Sequence, residues 1–543
     1  MSRKDLTINA RIVCALLASL VSIGATAAQS GAKAPGPRPT LVVGIFVEGL
    51  TAEYVDLLRT NLTDSGFNRL INEGITIRNV DYGPGIDATA ASAILVSGAS
   101  PSVNGIPAAK AWDSTTRREY PVLLDASLAG NYTEQQLTPA PLLVSTLSDE
   151  IRISDGGIGQ VHSVALDPQQ AILLAGHAGN SSFWISDING KWTSSTHYRE
   201  TPTPISRRNV GLTLASRLDT MSWEPAMALD RYPDLPEYKK LYPFRHTFPS
   251  RNVDRFTIFK SSPMANREVA ATAAEYISTL SLGKRGVTDM LSIGLDVSPY
   301  LYGREADNRI ETMDAIIRLD RDIASIVRAV ENGPGMANTL LFVAGTPAPS
   351  GGKRDEERWN IPSGQFSPRK AVSLLNMYLM ALHGNGEWVS GYHNGFFFLN
   401  NALIKERGMN DSDLRREGAE FLSRMSGVSD VYTIDDILAR RAGDDPNALH
   451  RNISPRHAGD LLVMVNPGWE ISDGDDSDAS AVSETQLPVV RWQATTSPVY
   501  ILAPTVESSE IVERVDARAI APTLARILRI RSPNAASQPN INY

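Results

Sequence analysis

Residues Thr40 to Leu50 read TLVVGIFVEGL. The apolar run is too short for a core helix and rich in β-branched residues, which predicts a strand buried on both faces. It ends in a carboxylate, Glu48, followed by Gly49. In open α/β sheets, ligands bind in the crevice beyond the carboxyl ends of the strands. Glu48 is therefore a candidate metal-binding or catalytic position. The plain alternative is a solvated or helix-capping acid.

Strand and helix patterns alternate on either side of this stretch. A helix is expected from Glu53, continued by Phe67, Leu70 and Ile71, then a strand over Ile75 to Val80 and a turn over Asp81 to Ile86. Asp87 is a good N-cap for the small-residue helix that follows. Further on, the pattern predicts helices over 265–282 and 310–331 and buried strands over 289–295 and 339–344. The alternation argues for an α/β fold with a mostly parallel, doubly wound sheet flanked by helices. Residues 113–260 read as a cap-like insertion of short elements. Its aromatics Trp184, Trp192 and Tyr198 either pack in a hairpin core or line a cleft for carbohydrate or a lipid headgroup.

The chain has 543 residues, 42% hydrophobic and 21% charged, which is ordinary globular composition with ample length for a large core. Net charge is -8, and the basic residues form no runs, so there is no nucleic-acid footprint. Residues 1–28 read as a signal peptide. Arg3, Lys4 and Arg11 precede the apolar run Ile12 to Ile23, and Ala25-Thr26-Ala27 is a small-residue cleavage pattern. That run is short for a membrane span, and no later segment is long and apolar enough, so a soluble periplasmic or secreted protein is expected. The only cysteine, Cys14, lies inside the signal, leaving no disulfide, thiolate zinc site or cysteine nucleophile in the mature chain. Residues 29–39 read as a flexible leader.

Several further motifs sit in one frame with the opening strand. They are Ser97-Gly98, Pro101, Asn104-Gly105-Ile106, Ile361-Pro-Ser-Gly364, Leu375 to Gly384, Tyr392 to Asn400, Pro467-Gly468-Trp469 and Val515 to Leu528. On these residues the chain resembles the alkaline phosphatase superfamily, in its branch of secreted bacterial phosphatases and type I phosphodiesterase–nucleotide pyrophosphatases. The likeness spans about residues 41–530. It implies an alkaline-phosphatase-like domain over 40–532 and a short polar tail, expected to fray, over 533–543.

The resemblance also implies where the chemistry should sit. The family clamps the attacking and leaving oxygens with two zinc ions. Its first metal-binding Asp corresponds to Glu48. Its nucleophilic Thr or Ser falls on Ala88, with Thr89 the adjacent hydroxyl and a first-turn threonine as the alternative reading. The phosphate-binding Asn is expected just before Trp112, where Ala108, Ala109, Lys110 and Ala111 stand. The Lys-x-Arg pair of the phosphomonoesterases corresponds to Asp167-Pro168-Gln169. The Asp-x-x-x-His pair falls on Pro299 and Gly303, and the Asp-His pair on Thr346 and Pro347. No histidine follows His457, although the family's last ligand histidine belongs in that part of the chain.

Asp296 is a candidate displaced ligand, or a loop acid beside a turn proline. His177, ending an apolar run, reads as a structural histidine rather than a ligand. The acidic run Ser472 to Asp478 has the oxygen spacing of a calcium loop but no closing acid, so it reads as a solvated loop. A two-zinc site needs roughly three protein ligands per metal, and Glu48 alone keeps a matching position. The expectation is therefore a non-catalytic exported relative. It would bind or scaffold an unidentified protein or small ligand, with no cofactor and no membrane span after signal removal. The alternative is a zinc-dependent phosphoric mono- or diester hydrolase with a site rebuilt from Glu48, Asp296, Thr89 and a histidine of the insertion.

Overall fold

Alternation along Leu41–Glu48 sends its side chains into two separate cores. Val43, Ile45 and Val47 join one apolar cluster, and Val42 and Phe46 join another. In the computed structural model, which describes residues 37–211, 213–235, 237–303, 308–348, 364–439, 449–466, 469–472 and 494–543, this strand is central to a ten-stranded sheet. In chain order the strands are Leu41–Glu48 (β1), Ile75–Pro84 (β2), Gly130–Asn131 (β3), Val161–Ala165 (β4), Ser181–Ile185 (β5), Trp192–Ser195 (β6), Asp289–Asp296 (β7), Thr339–Thr346 (β8), Ala494–Leu502 (β9) and Ser509–Asp516 (β10). Their spatial order is β10-β2-β9-β8-β1-β7-β4-β5-β6-β3. Strands β8, β1, β7, β4 and β5 run parallel, while β9 runs antiparallel between β8 and β2. The fold is the expected α/β class with a mostly parallel sheet.

The helices that matter here are Ala88–Ser97 (α1), Leu147–Ser154 (α2), Pro168–Ala175 (α3), Arg255–Lys260 (α4), Pro263–Thr279 (α5), Arg309–Asn332 (α6) and Ile520–Leu528 (α7). On one face, Val269, Ala273 and Ile277 of α5 and Ile316, Ile323 and Val327 of α6 pack with the odd-numbered residues of β1. On the other, Ala90 and Ile94 of α1, Ile151 of α2 and Leu524 of α7 pack with Val42, Phe46 and Phe342. Each buried Val, Ile, Leu or Phe side chain here contributes about 1.5–3 kcal/mol, so helices on both faces hold the central strands in place. Gly44 has no side chain because the Phe342 ring occupies the place of its Cβ.

Four expectations change. The segment Asp81 to Pro84 is the end of β2 rather than a turn, because its backbone pairs with β9 from near the other end of the chain. Residues 161–195 fall inside the expected cap-like insertion, yet β4, β5 and β6 extend the central sheet. Trp184, Trp192 and Tyr198 are buried there and line no cleft. Strand β10 was not expected at all. Its alternating polar residues describe a sheet edge, where one face stays wet. The residues after Ser532 are tied down rather than frayed. The Ile541 side chain joins the core under α1 and α7, its N–H donates to Thr523 Oγ1 (2.9 Å), and Asn534 and Ser145 exchange two hydrogen bonds.

Among the described residues no helix is long and apolar enough to cross a membrane. The signal sequence with Cys14, most of the leader, Ile361 to Ser363, Pro467-Gly468 and the acidic run after Ser472 lie outside the described residues.

Candidate functional site

The crevice at the carboxyl end of the sheet is set by strand register. Glu48 pairs with Asp296 on one side and with Thr346 on the other. Parallel neighbours lie roughly 4.8 Å apart and point same-register side chains to the same face. The row Asp296–Glu48–Thr346 continues the face of Phe46, Phe342 and Ala344, which is the face covered by α1. Asp296 is thus the last residue of β7 and not a loop acid beside a proline. The strand ends are locked together: Val297 N–H donates to Glu48 O (2.8 Å) and Gly49 N–H to Thr346 O (2.9 Å). Gly49 has φ +78°, and a Cβ there would lie 2.8 Å from the Ser298 backbone, so only glycine turns the chain this close to its neighbour.

Two helix starts face this row. Asp87 caps α1, accepting from Ala90 N (2.8 Å) and from Ala109 N (2.7 Å). Asp167 caps α3, accepting from Gln170 N (2.8 Å). Gln169 accepts from Leu123 N (3.1 Å) and donates to Ala109 O (2.8 Å). The Ala109 peptide therefore bridges the two helix starts in the stretch where the resemblance led one to expect an asparagine. Ala88 and Thr89 form the first turn of α1, and Thr89 is buried there.

The result is a concentration of negative charge. Deep in the crevice, desolvation pushes the Glu48 carboxyl well above its ordinary range, and Asp296, Asp167 and Asp87 push it further the same way. Asp296, Asp87 and Asp167 are each raised by burial as well, opposed by N–H donors from Ser298, Ala90 with Ala109, and Gln170 respectively. All four remain partly open to solvent. Lys260, at the end of α4, lowers Asp167 and Asp296 from a distance, but its Nζ is bonded to Asp187 (2.6 Å). Neither Lys260 nor the convergence of Asp87 was found by reading the sequence. Asp87 showed only as a cap, and Lys260 carried no signal.

Two groups in the row lack partners. No hydrogen bond from a described residue reaches the Glu48 carboxylate. The Thr346 hydroxyl is buried at 0% exposure and has no partner either. Pro347 is buried beside it. Pro299 and Gly303 flank Tyr300, which packs on His246 with ring centroids 4.5 Å apart.

The eight histidines are all within described residues, and none joins the carboxylates. His162 bonds Ser181 (2.8 Å), His177 bonds Asp149 (3.0 Å), His197 bonds His177 O (3.0 Å), His246 bonds Glu311 (3.2 Å), His383 bonds Glu417 (2.5 Å) and His393 bonds Glu119 (3.0 Å). His450 and His457 are held below their usual range by burial and by the adjacent Arg451 and Arg456. Among the described residues no three His, Asp or Glu side chains converge closely enough to hold a metal ion. Zinc favours nitrogen and sulfur donors alongside carboxylates, and the described residues of the row supply oxygen donors alone.

Known proteins share this architecture along nearly the whole chain. Alkaline phosphatase PhoV of Synechococcus elongatus is 24% identical over 97% of this chain and 98% of its own length. A calcium-transporting ATPase of Myroides odoratus is 25% identical over 92% of this chain and 93% of its own. The crystal structure of wild-type alkaline phosphatase PafA superposes with a TM-score of 0.80 at 22% identity, covering 93% of this chain and 98% of that one. The family model for type I phosphodiesterase / nucleotide pyrophosphatase matches residues 42–491, and the chain belongs to that family, within the alkaline phosphatase superfamily.

Proposed function

We propose that this protein is an exported member of the superfamily that acts by binding at its strand-end crevice rather than by two-zinc hydrolysis. The observation that carries this reading is the row Asp296–Glu48–Thr346, faced by Asp87 and Asp167 and by no imidazole. A phosphate dianion placed there meets carboxylates. Two like unit charges about 4 Å apart repel by roughly 4 kcal/mol at an effective dielectric near 20. Thr89 is buried in the first turn of α1 and is read as part of the helix start. The expected signal peptide over 1–28 supports export, and residues 40–532 are read as the binding domain.

The second reading, a metal-dependent phosphoric-ester hydrolase, is favoured by likeness over nearly the full length to two proteins named alkaline phosphatases. One experiment separates the two. The mature chain is purified, its bound metal is measured, and mono- and diester hydrolysis is assayed with and without added zinc. Binding without hydrolysis predicts less than stoichiometric zinc and no turnover above blank. Stoichiometric zinc with turnover that disappears in Glu48→Ala establishes the hydrolase.

A further inference from the structure

Among the described residues, the row presents acceptors and no free donor cation. Asp296 and Glu48 offer carboxylate oxygens, and Thr346 offers a hydroxyl with unused lone pairs, buried at 0% exposure. Strand register puts Thr346 on the same face as Glu48. Asp87 and Asp167 add charge from the two helix starts but spend one or more oxygens on N–H donors, and Asp296 itself gives one oxygen to Ser298 N–H (2.6 Å). Lys260 is already bonded to Asp187. A buried hydroxyl with no partner and a carboxylate with no hydrogen bond are both costly unless something fills them.

We infer that this row is a binding site for a protonated primary amine, whose three N–H donors match the Asp296 carboxylate, the Glu48 carboxylate and the Thr346 hydroxyl. This rests on the binding reading above and names its ligand class. The chemistry discriminates. An ammonium group carries three donors and no acceptor, and a hydrogen bond between ionised partners is about twice as strong as a neutral one. An ammonium group imposes no fixed coordination geometry on its acceptors, and among the described residues no three His, Asp or Glu side chains converge to hold a metal ion. A phosphate is repelled, so the site has the opposite charge preference to a phosphatase crevice.

The test is calorimetric titration of the full mature chain with methylammonium and with 1,4-diaminobutane. Tetramethylammonium serves as a cation without N–H donors, and zinc and calcium are titrated separately. Saturable binding of one amine per chain is expected, weakened about tenfold or more in Glu48→Gln and by less in Thr346→Val. His383→Gln, remote from the row, leaves it unchanged. Both site variants keep side-chain volume, and their thermal unfolding checks the fold. Absence of saturable amine binding, equal competition by tetramethylammonium, or calcium uptake lost in the same two variants overturns the inference and leaves the non-hydrolytic reading standing. Stoichiometric zinc with turnover overturns both.

Discussion

Glu48 and Asp296 end adjacent parallel strands in the same register, so two carboxylates stand side by side at the bottom of the crevice. Burial and the three neighbouring acids lift the Glu48 carboxyl above its ordinary value of 4.5. The native state then holds a proton that the unfolded chain has released, and stability falls as pH rises from about 4.5 through the folded value. Glu48→Gln removes both the repulsion and this titration. Its stability advantage over the parent should grow with pH across that window and then level off, reaching about 1.4 kcal/mol for each unit by which the group is raised. Urea unfolding of both proteins near pH 4.5 and near pH 8 measures it, and an advantage that stays constant with pH rules the account out.

Asp314 anchors the 113–260 segment to α6. Its fully buried carboxylate accepts from Trp223 Nε1, Ala226 N and Tyr232 OH, each at 2.6 Å, and from Arg318 Nε at 2.7 Å. Asp314→Ala strands these donors and should cost about 3–5 kcal/mol. Asp314→Asn, which keeps part of the bonding, should cost less. Equilibrium denaturation of the two variants decides the matter, and equal losses would show that the charge-assisted bonds do not hold this junction.

His177 donates from both ring nitrogens, to Asp149 (3.0 Å) and to Leu142 O (2.9 Å). The Asp149 bond raises its pKa above the ordinary 6.5 despite the opposing effect of burial. Its contribution is therefore fully present below about pH 6.5 and is lost as pH rises through the folded value. The midpoint difference between the parent and His177→Asn should be larger in mild acid than in alkali. Because the ring is partly solvated, the contribution is no more than about 1 kcal/mol. A difference that grows towards alkaline pH contradicts the ion pair.

Truncation after Ser532 removes the buried Ile541 side chain, its bond to Thr523 and the Asn534–Ser145 pair. Burial of one isoleucine accounts for about 1.5–3 kcal/mol, so the shortened chain should unfold at clearly lower urea. Unchanged stability would mean that the tail is not held in solution.

The central strands could be read from the sequence because burial on both faces leaves an uninterrupted apolar run, as in Leu41–Val47, Asp289–Leu295 and Thr339–Ala344. The helices of both layers showed equally through their periodicity. What sequence could not supply was pairing. Asp296 became a neighbour of Glu48 only through register across 248 positions of chain, a long-range property with no local mark. Lys260 and Asp187 were hidden for the same reason. The Asp81–Pro84 segment carries glycine and proline and looks like a turn, yet partners from β9 hold it extended. The tail misled through composition: one isoleucine among polar residues is enough to dock it.

Strand β2 is gripped on both edges, by β9 and β10, and both partners belong to the final stretch of the chain. Asn79 Nδ2 reaches Val512 O across a separation of 433 residues. At a synthesis rate of roughly 5–20 residues per second, those edges stay bare for tens of seconds while the remainder emerges from the ribosome. Nascent polypeptides stalled or nicked before β9 would leave both edges of β2 and one edge of β8 bare, so aggregation of such fragments, and protection by a chaperone that covers strands, follows from where β2 finds its neighbours.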